Sequence, residues 1–283
     1  MADDFEQLVR QVADQLGLTI AERCGSGAFK HTYRATRGDD TFALKVVVGD
    51  LPWERIERET AALQRCRHPH ISRLHESGAI ADTKGRPVAY FLEEFLDGGT
   101  LTQRLAYGQT LALEEGRAIG LAMSSALLHL DELHIVHRDI KPDNIMFRRN
   151  GAAVLLDLGI ARHVVESTLT QQWAAAGPGT PVFAAPEQLR NEIRQIDWRT
   201  DQFGLGVTMS VALLGMYPHS GSASFQGVVD RVIARHPPSD AFVDAASRRG
   251  LGLLRTMVDP WPARRYRRPD DLVAAWEALE VQT

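Results

Sequence analysis

His137-Arg138-Asp139-Ile140-Lys141-Pro142-Asp143-Asn144 is the stretch that decides this chain. It packs a carboxylate that can act as a base, a cation and a metal-binding amide into one short segment. Thirteen residues after Asn144 comes a second carboxylate, Asp157, in Leu156-Asp157-Leu158-Gly159. Asn144 and Asp157 offer hard oxygen ligands, which suit magnesium. A solvated polar loop after a helix draws on the same residue types. The concentration of active groups, with a second carboxylate at a set distance, argues for chemistry instead.

The two segments and their spacing resemble the catalytic loop and magnesium-binding turn of the protein kinases. The lysine two residues after Asp139 is the Ser/Thr version rather than the Tyr version. The resemblance implies phosphoryl transfer, which asks little covalent chemistry of a protein and much positioning of charge. On that reading Asp139 accepts or orients the proton of the substrate hydroxyl. Lys141 neutralises charge on the moving phosphoryl. Asn144 and Asp157 hold Mg2+, with Mn2+ as a second option. His137 packs beneath the Asp157 turn rather than acting as a base. Leu158 stands where Phe is usual, and an aliphatic side chain can fill the same slot.

Upstream, strand-like residues from Ile20 to Arg34 flank Gly25-Ser26-Gly27. Glycines let backbone amides approach phosphate without a Cβ in the way. A Gly-x-Gly alone marks an ordinary hairpin turn. Here it precedes Thr41-Phe42-Ala43-Leu44-Lys45, as the kinase glycine-rich loop precedes the lysine that grips the α- and β-phosphates. Two residues depart from the pattern: Lys30 replaces the third glycine and Thr32 a valine. An amphipathic helix is expected over Trp53–Cys66, with Pro52 near its start. Within it the resemblance makes Glu59 the ion-pair partner of Lys45, with Glu54 and Glu57 as rivals at poorer spacing. Val88–Leu92 reads as a buried strand running into Glu93-Glu94-Phe95-Leu96-Asp97-Gly98-Gly99, which resembles the hinge between lobes. Backbone groups of Glu94 and Leu96 would then pair with adenine. Glu93 falls behind the adenine pocket, where a charge is unusual. Either it finds a cation, such as Lys45, or the strand register is shifted by one.

Downstream, Glu114–Leu133 carries Ile119, Ala122, Met123, Ala126, Leu127 and Leu130 at helical spacing and delivers the chain to the decisive stretch. Gly179-Thr180-Pro181 and Ala185-Pro186-Glu187 resemble the end of a kinase activation loop, the element that seats a protein substrate. By that resemblance Thr180 hydrogen-bonds Asp139 and Lys141. Glu187 makes a buried ion pair with Arg265, Arg264 being the runner-up. Asp201 braces the catalytic-loop backbone. Arg138 could face a loop phosphate, but Gln171–Gly179 holds no Ser or Thr. Thr168 and Thr170 are therefore the expected acceptors.

Length and composition agree. The chain has 283 residues, enough for one two-lobed domain or two small ones. At 44% hydrophobic and 24% charged it has an ordinary globular composition. A net charge of -4 gives no electrostatic case for nucleic acid or an anionic membrane. Cys24 and Cys66 cannot build a disulfide framework, which fits a reducing cytoplasm. The start, Met-Ala-Asp-Asp, has none of a signal peptide's features. From Gln202 to Asp230 no charge intervenes. Its apolar part, Phe203–Tyr217, is too short to span a membrane, so a buried helix fits. Phe5, Leu8, Val9, Val12 and Leu16 share one helical face, which packs on the small lobe or meets a partner.

The expected architecture is α+β, a two-lobed protein-kinase-like fold. Residues 1–18 form an amphipathic helix, 19–95 a β-rich nucleotide-binding lobe and 96–283 a larger helical catalytic lobe. The expected activity is transfer of the γ-phosphate of ATP to Ser or Thr of a protein substrate, by a soluble stand-alone kinase or a cut-out domain. Two rivals are a small-molecule phosphotransferase and a pseudokinase binding module. The first usually lacks the Gly-Thr-Pro and Ala-Pro-Glu elements. The second draws support only from Lys30, Thr32 and Glu93.

Overall fold

The structure, a computed structural model, describes residues 2–26, 30–47, 64–81, 85, 87–156, 180–221 and 224–280, the side chains of 2–4, 26, 30, 87 and 180 excepted. They fall into two compact units, divided between Asp97 and Gly98. The class is α+β, as expected. No helix among the described residues is long and apolar enough to cross a membrane.

The first unit is a helix on a sheet. Helix α1 (Ala2–Gln15) precedes strands β1 (Thr19–Ser26), β2 (Lys30–Arg37), β3 (Asp40–Val47), β4 (Leu74–Ala81) and β5 (Pro87–Glu94). The sheet is antiparallel throughout, in the order β1-β2-β3-β5-β4. Alternation gives it two faces. Phe42, Leu44 and Val46 of β3 and Val88, Tyr90 and Leu92 of β5 point one way and bury against Val9, Val12 and Ala13 of α1. The amphipathic stripe read at the N-terminus therefore packs on this unit's own sheet. Val12 is fully buried, and each such side chain contributes roughly 1.5–3 kcal/mol. The helix ends at Gly17, whose φ of 63° needs a residue without a Cβ. There the Leu18 N–H reaches the Ala13 carbonyl at 2.8 Å and the Gly17 N–H reaches Asp14 at 3.2 Å. This paired closure satisfies the last carbonyls and turns the chain into β1.

The second unit is helical: α2 (Leu101–Arg104), α3 (Leu113–Glu132), α4 (Pro186–Leu189), α5 (Trp198–Leu214), α6 (Phe225–Ile233), α7 (Asp240–Arg248), α8 (Gly252–Met257) and α9 (Pro269–Glu277). A two-stranded ladder, β6 (Ile145–Phe147) with β7 (Ala153–Leu155), interrupts it. The uncharged run is α5. Every residue from Thr200 through Ser210 is buried, as expected of a helix apolar on all sides. Helix α3 packs on α5 and α9. At Gly120 a Cβ would lie 2.5 Å from the Trp276 ring, so only glycine permits that approach.

His219 follows α5 and is 1% exposed, stacked on Phe203 with 5.7 Å between ring centroids. Its Nε2 lies 3.2 Å from the Val258 carbonyl. Burial pulls its pKa down from 6.5 to about 4. The unfolded chain therefore takes up a proton near pH 6.5 that the folded chain refuses until about pH 4. Stability is full above pH 6.5 and falls as pH drops through that window. Between pH 7 and pH 4.5 this residue should account for a loss on the order of 2 kcal/mol. Urea titrations at the two pH values should show the gap narrowing by about that amount in His219→Phe. An unchanged gap would contradict the assignment.

Candidate active site

Helix α3 ends at Glu132, and the chain then runs to a residue in an unusual conformation. Arg138 has φ of 63°, in the left-handed region that a side chain resists. The residue after it is Asp139. Pro142–Asn144 then forms a single 3-10 turn, and β6 begins at Ile145. The ladder secures this turn, because the Leu156 N–H donates to the Asn144 carbonyl at 2.8 Å. Three site residues converge as a result. The Asp139 carboxylate receives Lys141 Nζ at 3.1 Å and Asn144 Nδ2 at 2.9 Å. The same Nδ2 also donates to the Asp139 carbonyl at 2.7 Å. Asp139 and Lys141 side chains are each about one-sixth exposed. An outside molecule can reach them, yet their geometry is held.

The strained backbone before Asp139 is secured from three directions. Asp201 of α5, 2% exposed, accepts the His137 and Arg138 N–H groups, each at 2.7 Å, one on each carboxylate oxygen. Burial outweighs the downward pull of those two bonds and pushes its pKa up to about 7. From α4, Gln188 Nε2 donates to the Arg138 carbonyl at 2.7 Å. His137 is fully buried. Its Nδ1 accepts the Asp139 N–H at 3.2 Å, so its Nε2 carries the proton donated to the Leu156 carbonyl at 2.7 Å. A ring bonded at both nitrogens and closed to solvent is structural, as its place in the motif implied.

Glu187, beside Gln188, is itself anchored. Its carboxylate meets Arg265 at 2.7 and 3.1 Å, and neither side chain is exposed. Thr200 donates to the same carboxylate at 3.0 Å. Arg265 also reaches the carbonyls of Asp259 and Arg199, and lies over the Phe203 ring. Arg265, not Arg264, is thus the partner.

In the first unit, Ala43 pairs with Glu93 and Lys45 with Phe91, so Lys45 and Glu93 share the sheet face opposite α1. Lys45 Nζ lies 2.5 Å from Glu93 Oε2, and Ser72 Oγ is 3.4 Å from the same oxygen. Of the two readings left open for Glu93, a cationic partner is the observed one. The Glu94 N–H is committed to the Arg73 carbonyl at 2.9 Å. Leu96 is buried, and Gly25 faces Thr32 across the β1–β2 ladder. Gly27, Glu59 and Asp157, the Trp53–Leu63 part of the expected helix, and Thr168 and Thr170 lie outside the described residues, as does the Thr180 side chain.

A model of the protein kinase domain matches residues 18–276. The chain belongs to that family. A probable serine/threonine-protein kinase of Streptomyces coelicolor is 30% identical to this kinase domain over 264 residues, covering 90% of this chain and 38% of the relative. Serine/threonine-protein kinase PknB of Mycobacterium leprae is 32% identical over 218 residues, covering 74% and 34%. A solved structure of Rad53 1-466 in complex with AMP-PNP matches with a TM-score of 0.72 at 25% identity, covering 97% of this chain and 69% of that one. The kinase domain thus spans between a third and two-fifths of those two curated relatives.

Gln188 is the residue that motif reading passed over. Its only signal was its place directly after Ala185-Pro186-Glu187. Without its bond the Arg138 carbonyl would be held from one side less, and Asp139 would lose definition. A net hydrogen bond is worth roughly 1 kcal/mol. Gln188→Leu should therefore lower kcat by about fivefold to tenfold, with KM for ATP changed by less than about twofold and the thermal midpoint nearly unchanged. Wild-type kcat in this variant would show that the loop holds its shape without Gln188.

Proposed function

We propose that this kinase domain transfers the γ-phosphate of Mg-ATP to serine or threonine hydroxyls of a protein substrate. The observation that carries this is the Asp139 carboxylate, reachable from outside, with Lys141 and Asn144 at 3.1 and 2.9 Å on a braced backbone. The acceptor hydroxyl oxygen attacks the γ-phosphorus as the bond to the bridging oxygen of ADP breaks. The hydroxyl proton passes to Asp139, which orients the attacking oxygen beforehand. Lys141 balances the charge spread over the transferring group. Lys45 holds the α- and β-phosphates, and the Gly25–Gly27 loop covers them. Glu94 and Leu96 offer backbone groups to the adenine. Glu59 would orient Lys45, and Thr180 would bond Asp139 and Lys141.

Asn144 suits magnesium. Both of its amide hydrogen bonds go to Asp139, which leaves the amide oxygen, a hard donor, as the part able to meet a cation. Asp157 would supply the second oxygen ligand. Magnesium, when bound, neutralises phosphate charge. Preference for Ser and Thr over Tyr rests on Lys141 and Thr180, which would fill the space a phenol needs beside Asp139. The similarity to serine/threonine kinases supports the same preference.

The test is incubation with Mg-ATP labelled at the γ-phosphate and a mixture of protein substrates. Phosphoserine and phosphothreonine should form, and Asp139→Ala should lower the rate by about 10²–10⁴ while remaining folded. Full turnover by the folded variant, or phosphotyrosine as the main product, would overturn the proposal.

Loop phosphorylation, if it occurs, is expected on Thr168 or Thr170 and is not expected to be strictly required. Phosphatase-treated enzyme should keep a substantial part of its rate. Enzyme inert until one of these threonines is phosphorylated would reverse that expectation.

A further inference from the structure

The mechanism above does not use Glu93, which is 7% exposed and sits on the sheet face opposite α1 beside Lys45, 5% exposed. The Nζ–Oε2 distance is 2.5 Å, and Ser72, 6% exposed, is 3.4 Å from the same oxygen. A carboxylate this dry is retained only with a partner, because removal from water costs more than an isolated ion can recover. The same holds for the ammonium. Both groups stand on paired strands, so their separation is set by the register Ala43–Glu93 and Lys45–Phe91 rather than by a mobile loop. A short Arg or Lys contact at a protein surface would carry little meaning. This one is almost closed to solvent and is carried by two strands paired in register.

We propose that Glu93 is a positioning residue for the phosphate-gripping lysine: a fixed counter-ion that holds Lys45 in place and in its charged form, before and during nucleotide binding. The inference rests on the kinase reading of Lys45. It gives an unusual acid in the nucleotide unit a role that the matched motifs do not assign. Glu93 acts on Lys45 from the strand side, so the lysine's aim does not depend on one helix-borne carboxylate alone. The shared pair also means that phosphate does not meet a bare cation. ATP competes with Glu93 for the Lys45 ammonium, and Ser72 helps hold the carboxylate as that contact loosens. Titratable groups of this unit that face Lys45 include Glu93 from β5 and Cys24 from β1, whose thiol feels the lysine's charge.

Glu93→Gln and Glu93→Leu separate positioning from mere packing. Glutamine can still accept from Lys45 but brings no charge. Its KM for ATP at pH 7 should stay within about threefold of wild type. The alkaline limb of kcat/KM should move to lower pH by about one unit, because a buried ammonium that loses a counter-ion gives up its proton sooner. Leucine removes acceptor and charge together. Its KM for ATP should rise about tenfold or more, with a smaller change in kcat at saturating ATP. In a Lys45→Met background neither substitution should move the alkaline limb. Binding of a fluorescent ATP analogue between pH 7 and pH 10 gives the same comparison without turnover. If Glu93→Leu does not fold, the alkaline limb of Glu93→Gln decides. Variants that keep wild-type KM and wild-type pH profiles overturn the inference while leaving the kinase reading intact. A wild-type protein that neither binds nor turns over ATP overturns the reading on which it rests.

Discussion

A single backbone residue held against its preference organises the helical unit. Arg138 adopts the left-handed conformation, which costs an ordinary side chain roughly 1 kcal/mol or more and persists only where its surroundings enforce it. The surroundings here are two N–H groups fixed by Asp201 and one carbonyl fixed by Gln188. The need for Asp201 explains an acid inside a helix that is otherwise sealed from solvent. The need for Gln188 explains why α4, a helix of one turn, is pinned so firmly by the neighbouring Glu187. Strain at Arg138 is thus traded for a defined direction at Asp139.

Two buried ion pairs among the described residues, Glu187–Arg265 and Lys45–Glu93, are built differently, and the difference follows their tasks. Glu187–Arg265 is completely dry and densely bonded. The carboxylate takes a hydroxyl besides the guanidinium, and the guanidinium takes two carbonyls and an aromatic face. Arginine suits such a place because its donors form a rigid fork. Lys45–Glu93 puts a point charge on a flexible stem. A lysine can swing part of its charge toward a ligand where an arginine held by four hydrogen bonds cannot. Neither pair need add net stability, since desolvation offsets most of the attraction. Breaking either one leaves an uncompensated charge, and their value lies in geometry.

Much of this was legible in the sequence, for identifiable reasons. The segment from His137 to Asn144 is local, so its chemistry survives being read as a string. The uncharged run from Gln202 announced a helix buried on all sides, and Val88–Leu92 announced a buried strand. Arg265 could be chosen over Arg264 by its place beside Tyr266 and before Leu272. Glu93 was half legible: a charge in an apolar strand demands a partner, but a string does not show which face of the sheet holds a cation. That needed the β3–β5 register. Gln188 was not legible, because one amide bonded to one carbonyl fifty positions away leaves no pattern. The contact exists only because α4 and the Arg138 backbone meet in three dimensions.

The close approach of Gly120 to Trp276 carries a consequence for how the chain is made. Arg117 ties the same two helices, donating to the Trp276 and Glu277 carbonyls 159 and 160 residues away. Helix α3 therefore leaves the ribosome long before α9 exists. At ordinary synthesis rates the interval is roughly ten to thirty seconds. During that time the glycine-lined groove of α3, shaped to accept an indole, has no native occupant. It is a surface on which a nascent chain can stick to itself or to a neighbour. Completion of the helical unit is a late, long-range event, and the burden of keeping this groove clean falls on the cell's folding machinery rather than on the sequence around it.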